Sequence, residues 1–139
     1  MVRTIFMPNT NKFLPANNKL YGLLLEDELR QKVAFRISQA YIYLECKSFK
    51  FNNYSYCGED MVILSEITSY EKITEFIDYL RCYSVKNNKR IVVVIKDIYD
   101  NKRNSSWWKQ FDALKLDLYW AGIIIFDNNL NIQSFKLRL

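Results

Sequence analysis

Lys89-Arg90-Ile91-Val92-Val93-Val94-Ile95-Lys96-Asp97 decides the fold. Five consecutive β-branched apolar residues, with no polar alternation, form a strand that must be covered on both faces. In a chain of this size that position is the centre of a mostly parallel sheet with helices above and below it. The expectation is therefore an α/β protein: one domain, a mostly parallel or mixed central sheet, helices on both faces, and an edge strand at the C-terminus.

Upstream of this strand, Thr68-Ser69-Tyr70-Glu71 has capping-box spacing, and Ile73, Phe76, Ile77 and Leu80 follow at helical intervals. That predicts a helix ending near Lys86-Asn87-Asn88. Met61 to Glu66 reads as a short buried strand, joined through Tyr54 to Asp60 to an earlier strand over Ala40 to Phe51, with Asn52-Asn53 as its turn. Leu25, Leu29, Val33 and Ile37 recur every four residues and predict a first helix over Leu20 to Ser38. Residues 1–19, with Pro8 and Pro15, read as an extended arm preceding a domain over 20–139.

Downstream, Ile98 to Ser106 is a polar loop whose serines can cap a third helix. Trp107, Phe111, Leu114 and Leu118 supply its stripe, and Gly122 stands where a helix-ending glycine belongs. Ile123 to Asp127 is a further buried strand, which crossovers through the second and third helices would place parallel to the first ones. Asn128-Asn129 turns into a closing strand in which Phe135, Leu137 and Leu139 share a face opposite Lys136 and Arg138, a pattern suited to a sheet edge.

Composition narrows the chemistry. The chain has 139 residues and no histidine, which excludes Ser-His and Cys-His nucleophile pairs and histidine general bases. Cys46, Cys57 and Cys82 fit neither a disulfide framework nor a zinc site. No apolar run approaches the roughly 20 residues of a membrane helix, and the first residues lack a secretory pattern, so a cytoplasmic protein with no membrane partner is expected. A net charge of +5 favours a polyanionic partner.

Three constellations carry candidate chemistry. Glu45, Glu66, Asp97 and Asp127 each end or nearly end a predicted strand, where ligands of open α/β sheets bind. Glu45, Glu66 and Asp97 could there hold Mg2+ for phosphodiester hydrolysis. The same acids also suit helix caps and turns. Glu45-Cys46-Lys47 forms the E-x-K half of a restriction-endonuclease-like signature, which also needs an aspartate on the preceding strand, where this chain has the first predicted helix with Asp27. With Asp97 from the strand-end acids, Glu45 and Lys47 complete the candidate catalytic set. Basic and aromatic residues interleave at Lys47, Lys50, Tyr54 and Tyr56, and again at Lys102, Arg103, Trp107, Trp108 and Lys109. Cations beside flat rings suit single-stranded nucleic acid. Trp107 is expected in the core stripe, and Trp108, about 100° around the helix, on the surface as a binding hot spot.

The run Arg36 to Leu44, the helix Ile73 to Leu80, the strand Ile91 to Ile95 and the segment Leu118 to Ile125 together resemble in layout the opening half of a phospholipase D-like domain. The likeness covers roughly residues 25 to 139. It implies that family's nuclease-like scaffold without its covalent mechanism. The catalytic histidine is missing and the corresponding segment reads Gln133-Ser134-Phe135-Lys136, leaving only Lys136 for the family lysine.

The expected function is nucleic-acid binding on a nuclease-like scaffold, through Lys47, Lys50, Tyr54, Lys102, Arg103, Trp108 and Lys109. The alternatives are a Mg2+-dependent nuclease, with Lys47 or Lys96 stabilising the phosphate, and a protein-interaction module or homo-oligomeric assembly subunit using the Trp107-Trp108 surface. The abundance of Lys, Asn, Ile and Tyr suits an AT-rich source such as a virus or mobile element.

Overall fold

The computed structural model describes residues 17–51, 54–128 and 134–136. Among them are the helices α1 (Asn18–Glu26), α2 (Gln31–Tyr43), α3 (Tyr70–Asn87) and α4 (Lys102–Gln110). The strands are β1 (Phe49–Phe51), β2 (Met61–Leu64), β3 (Ile91–Lys96), β4 (Leu114–Asp117), β5 (Ala121–Phe126) and β6 (Ser134–Lys136). They form one sheet in the order β1-β2-β3-β5-β4-β6. β1, β2 and β3 are parallel, β5 is antiparallel to both β3 and β4, and β6 is parallel to β4. Five strands thus share a direction and β5 alone opposes them.

The β-branched run is buried along its whole length as β3. Val92 and Val94 pack with Leu20, Leu24, Val33 and Ile37 of α1 and α2 on one face. Ile91, Val93 and Ile95 pack with Ile73, Ile77 and Leu80 of α3 and Trp108 of α4 on the other. Alternate side chains of a strand point to opposite faces, so continuous hydrophobicity and helices on both sides are one requirement. β6 closes the sheet at its edge, as expected.

Several local expectations need correction. The first helix is two helices. After α1 the chain closes a Schellman turn, in which Glu28 N–H bonds Leu25 O at 3.0 Å and Leu29 N–H bonds Leu24 O at 3.2 Å, with Glu28 left-handed at φ 65°. The four-residue stripe survives this break because both helices face the same side of the sheet. α1 also begins inside the expected arm, where the Asn17 side chain accepts the Leu20 N–H at 2.8 Å.

The expected strand over Ala40 to Phe51 is mostly helix. α2 runs through Tyr43 and ends in a second Schellman turn with Glu45 at φ 59°, and only Phe49–Phe51 is strand. Burial of Ala40 and of Tyr41, whose ring meets Phe49 edge-on at 5.7 Å, outweighs the β-propensity of Tyr41-Ile42-Tyr43. The α3 cap is Ser69, which accepts the Lys72 N–H at 3.2 Å.

The third helix is the largest correction. Asn101 caps it, it stops at Gln110, and Leu114 to Asp117 is the strand β4. Gly122 ends no helix. It lies inside β5, where the Trp108 ring packs so closely that a Cβ would fall 2.4 Å from it. β5 is therefore antiparallel to β3, reached through a hairpin. The Ile73 to Leu80 helix and the Ile91 to Ile95 strand lie where the sequence places them, whereas Arg36 to Tyr43 is helix throughout and the expected glycine-ended third helix gives way to the shorter α4 and to β4.

Residues 1–16 of the expected arm, the Asn52-Asn53 turn and the side-chain alternation of Phe135, Leu137 and Leu139 lie outside the described residues. No helix among the described residues is long and apolar enough to cross a membrane.

Candidate functional site at the aromatic β4–β5 turn

The turn joining β4 to β5 is Leu118-Tyr119-Trp120. The Leu118 N–H bonds Ala121 O at 2.9 Å, and the Trp120 N–H bonds Leu118 O at 2.8 Å. The second bond spans two residues and closes a γ-turn with Tyr119 at its centre, at φ 69°. Glycine or asparagine relieves such a position. A bulky aromatic residue there is strained, on the order of 1–3 kcal/mol. The strain holds a ring in solvent: Tyr119 is 57% exposed and Trp120 36%.

Buried Asp117 organises this turn. Its Oδ1 accepts the Tyr119 N–H at 2.8 Å, and its Oδ2 accepts the Tyr99 hydroxyl. Burial, reinforced by that hydrogen bond, pushes the Tyr99 phenol up to about 12, so Tyr99 stays a neutral donor. The Tyr99 ring stacks on Tyr119, with centroids 5.3 Å apart and planes 19° from parallel. Trp120 meets Tyr119 at 4.9 Å and 75°. Two cations border the group. The Arg30 guanidinium, from the start of α2 on one side of the sheet, lies 4.3 Å from the Trp120 ring centre, and the Lys109 ammonium, from α4 on the other, lies 5.8 Å from that of Tyr99.

Asp97 adjoins the same turn. It follows β3 in left-handed geometry at φ 62°, and its N–H bonds Trp120 O at 2.9 Å. Burial pushes its carboxyl pKa above the ordinary value, and Asp100, Asp27 and Glu28 add to the shift against the opposing charge of Lys96. The Lys96 ammonium donates to the Asp27 carbonyl.

The acids expected to converge are divided between two edges of the sheet. Glu66 and Asp97 follow β2 and β3 at the carboxyl edge. Glu45 precedes β1, and Asp127 follows the reversed strand β5, so both stand at the opposite edge. The six residues of β3 separate the two edges by about 20 Å, too far for Glu45 and Asp97 to share a metal ion or a phosphate. Among the described residues no three acidic or cysteine side chains are close enough together to hold one. Glu45 and Lys47 also lie in the segment between α2 and β1, so the E-x-K pattern does not sit on a strand face.

That opposite edge has its own cleft of ≈ 410 Å³, where Asp60 and Asp127 face Lys89 and Arg90. Its charges are matched. Lys89 pairs with Asp60 at 2.6 Å, the Lys47 N–H bonds Asp60 at 2.7 Å, and Arg90 pairs with Asp127 at 2.6 Å while donating to Leu44 O at 3.0 Å. These cations sit at the ends of α2 and α3, where they complement helix carbonyls. Burial pushes the Cys46 thiol there up to about 12, so it is no nucleophile at neutral pH.

Of the residues singled out for nucleic acid, Lys50 pairs with Glu59 at 3.8 Å and Tyr54 packs edge-on against Phe76. Lys102 and Arg103 are exposed on α4, with Arg103 5.2 Å from the Tyr70 ring centre. Trp108 corrects its expectation: it is 1% exposed, whereas Trp107 is half-buried and donates to Thr74 at 2.9 Å. Only Lys109 of that set borders the ring stack. Arg30, Tyr99, Tyr119 and Trp120 escaped the sequence reading. The signal for them was the alternation of Leu114, Leu116 and Leu118 with Lys115 and Asp117, which marks a strand running into a turn.

The basic surplus is unevenly spread along the chain. Residues 17–128 contain all 15 acidic residues and 16 of the 20 basic ones; the other four are Arg3, Lys12, Lys136 and Arg138. No protein-family model, curated protein or solved structure matches the chain.

Proposed function

We propose that this chain is a nucleic-acid-binding module that holds single strands by stacking an unpaired base on Tyr119. The observation that carries the reading is a tyrosine kept exposed in a strained turn, stacked on a second ring and bordered by Arg30 and Lys109. Strain of this kind accompanies function more often than packing does, because packing alone would select glycine here. Stacking on an aromatic face recognises any base and requires that the base be unpaired, which favours single strands over duplexes. Arg30 and Lys109 approach from either side of the sheet and supply the phosphate contacts.

Fluorescence anisotropy with labelled single- and double-stranded DNA and RNA tests this. Two phosphate contacts on a single strand give a log–log salt slope near −1.4, so affinity should fall about sevenfold between 50 and 200 mM salt. Arg30→Ala with Lys109→Ala should flatten that slope. If no strand binds at 50 mM salt, the reading is wrong, and the cluster of Tyr119, Trp120 and Arg30 then points to a protein partner.

A further inference from the structure

We infer that a bound strand continues from Tyr119 along α4 into a second subsite, the groove between α4 and the first turn of α3, an inference that rests on the stacking reading above. The groove, of ≈ 390 Å³, is lined by Tyr70 of α3 and by Lys102, Arg103, Ser106, Trp107 and Gln110 of α4. Its lining holds two cations and no acid, unlike the charge-matched cleft at the opposite edge of the sheet. Among the described residues neither Lys102 nor Arg103 makes an ion pair. Both stand in the first turn of α4, which carries no acidic residue. Cations there oppose the positive end of the helix dipole, so they do not serve the helix, and a phosphate would be attracted by both side chains and by the dipole.

Two features join the groove to the turn. Lys102 and Lys109 are two helical turns apart, which returns them to nearly the same face of α4, about 10 Å from each other. Lys102 lines the groove and Lys109 borders the Tyr99 ring, so a row of cations leads from the stacked rings into the groove. The second feature is a hydrogen-bonded frame. The Tyr70 hydroxyl donates to Asn104, the Asn104 amide donates to Asp97 O at 2.9 Å, and the Asp97 N–H bonds Trp120 O at 2.9 Å. Buried Asn104 thereby fixes the groove relative to the turn. The Trp107 ring, anchored by its bond to Thr74, supplies an apolar wall for a second base.

The test compares labelled dT4 and dT12 by fluorescence anisotropy between 50 and 200 mM salt. A tetramer reaches one pair of cations, Arg30 with Lys109 or Lys102 with Arg103, and should show a log–log salt slope of about −1.4. The longer strand reaches both pairs, so its slope should be about −2.8 and its affinity should fall about 50-fold over that range. Lys102→Ala with Arg103→Ala should return the dT12 slope to about −1.4. Lys19→Ala with Lys86→Ala, which removes the same charge from α1 and the end of α3, should leave it unchanged. A wild-type dT12 slope no steeper than that of dT4, or an α4 variant indistinguishable from the control variant, overturns the groove and leaves the stacking reading standing. Failure of both strands to bind at 50 mM salt overturns the two together.

Discussion

Replacing Tyr119 by glycine and by alanine should separate binding from stability, because the two variants remove the same ring and differ only in how they tolerate the turn. At φ 69° a residue with a Cβ carries a cost of about 1–2 kcal/mol that glycine does not. Both variants lose the stack on Tyr99 and the contact with Trp120, worth about 0.5–1.5 kcal/mol each. Glycine also gives up about 0.5–1 kcal/mol through its freer unfolded chain. Tyr119→Gly should therefore be the more stable of the two by about 0.5–1 kcal/mol, the reverse of the order in a helix, with a melting temperature roughly 2–5 °C higher. In strand-binding titrations both should weaken by 1–3 kcal/mol, about 5- to 150-fold. Urea denaturation and anisotropy on the same preparations read both quantities. A glycine variant less stable than the alanine one would refute the strained turn, and undiminished binding in either would refute the stacking site.

Two further perturbations follow from the packing and the charges. Gly122→Ala should cost about 1–3 kcal/mol in denaturant unfolding, because its Cβ meets a buried Trp108 ring that Lys115 covers from 4.9 Å. Adding Trp108→Phe should recover part of that loss, and additive losses would show that the contact is not the cause. Burial alone would raise the Asp60 carboxyl, but the Lys89 ammonium and the Lys47 N–H outweigh it and hold it below its ordinary value. A depressed folded-state value contributes stability above the unfolded value near 3.9, lost as pH falls through the folded one. Asp60→Asn should thus be less stable than wild type by about 1 kcal/mol at pH 7, with the gap closing below about pH 4. Unfolding curves at pH 7, 5 and 3 check this, and a gap that widens on acidification would contradict the assigned sign.

What could be read directly was whatever depends on neighbours along the chain. The Ile91–Ile95 run, the Ile73 to Leu80 helix and the short Met61 strand carry their own patterns, and burial on two faces leaves a continuous apolar strand no other place. Trp107, Phe111, Leu114 and Leu118 misled because spacings of four, three and four match a helix, while Leu114, Leu116 and Leu118 match a strand equally well. Burial of both Lys115 and Asp117 against α4 and Tyr99 resolved that ambiguity, and those partners lie on other elements.

The candidate site was hidden for a related reason. Its rings come from the β3–α4 connection and the β4–β5 turn, and its cations from α2 and α4, four segments that no sequence spacing relates. Glu45 precedes β1, and once β5 ran antiparallel Asp127 joined it at one edge, away from Asp97 and Glu66 at the other. The sequence by itself determined the two-sided sheet, the absence of histidine chemistry and the basic balance, because these depend on composition and local periodicity. The direction of β5, the burial of Trp108 and the meeting of Arg30, Tyr99, Lys109 and Tyr119 were decided only by tertiary structure, because long-range packing chose between local conformations of nearly equal energy.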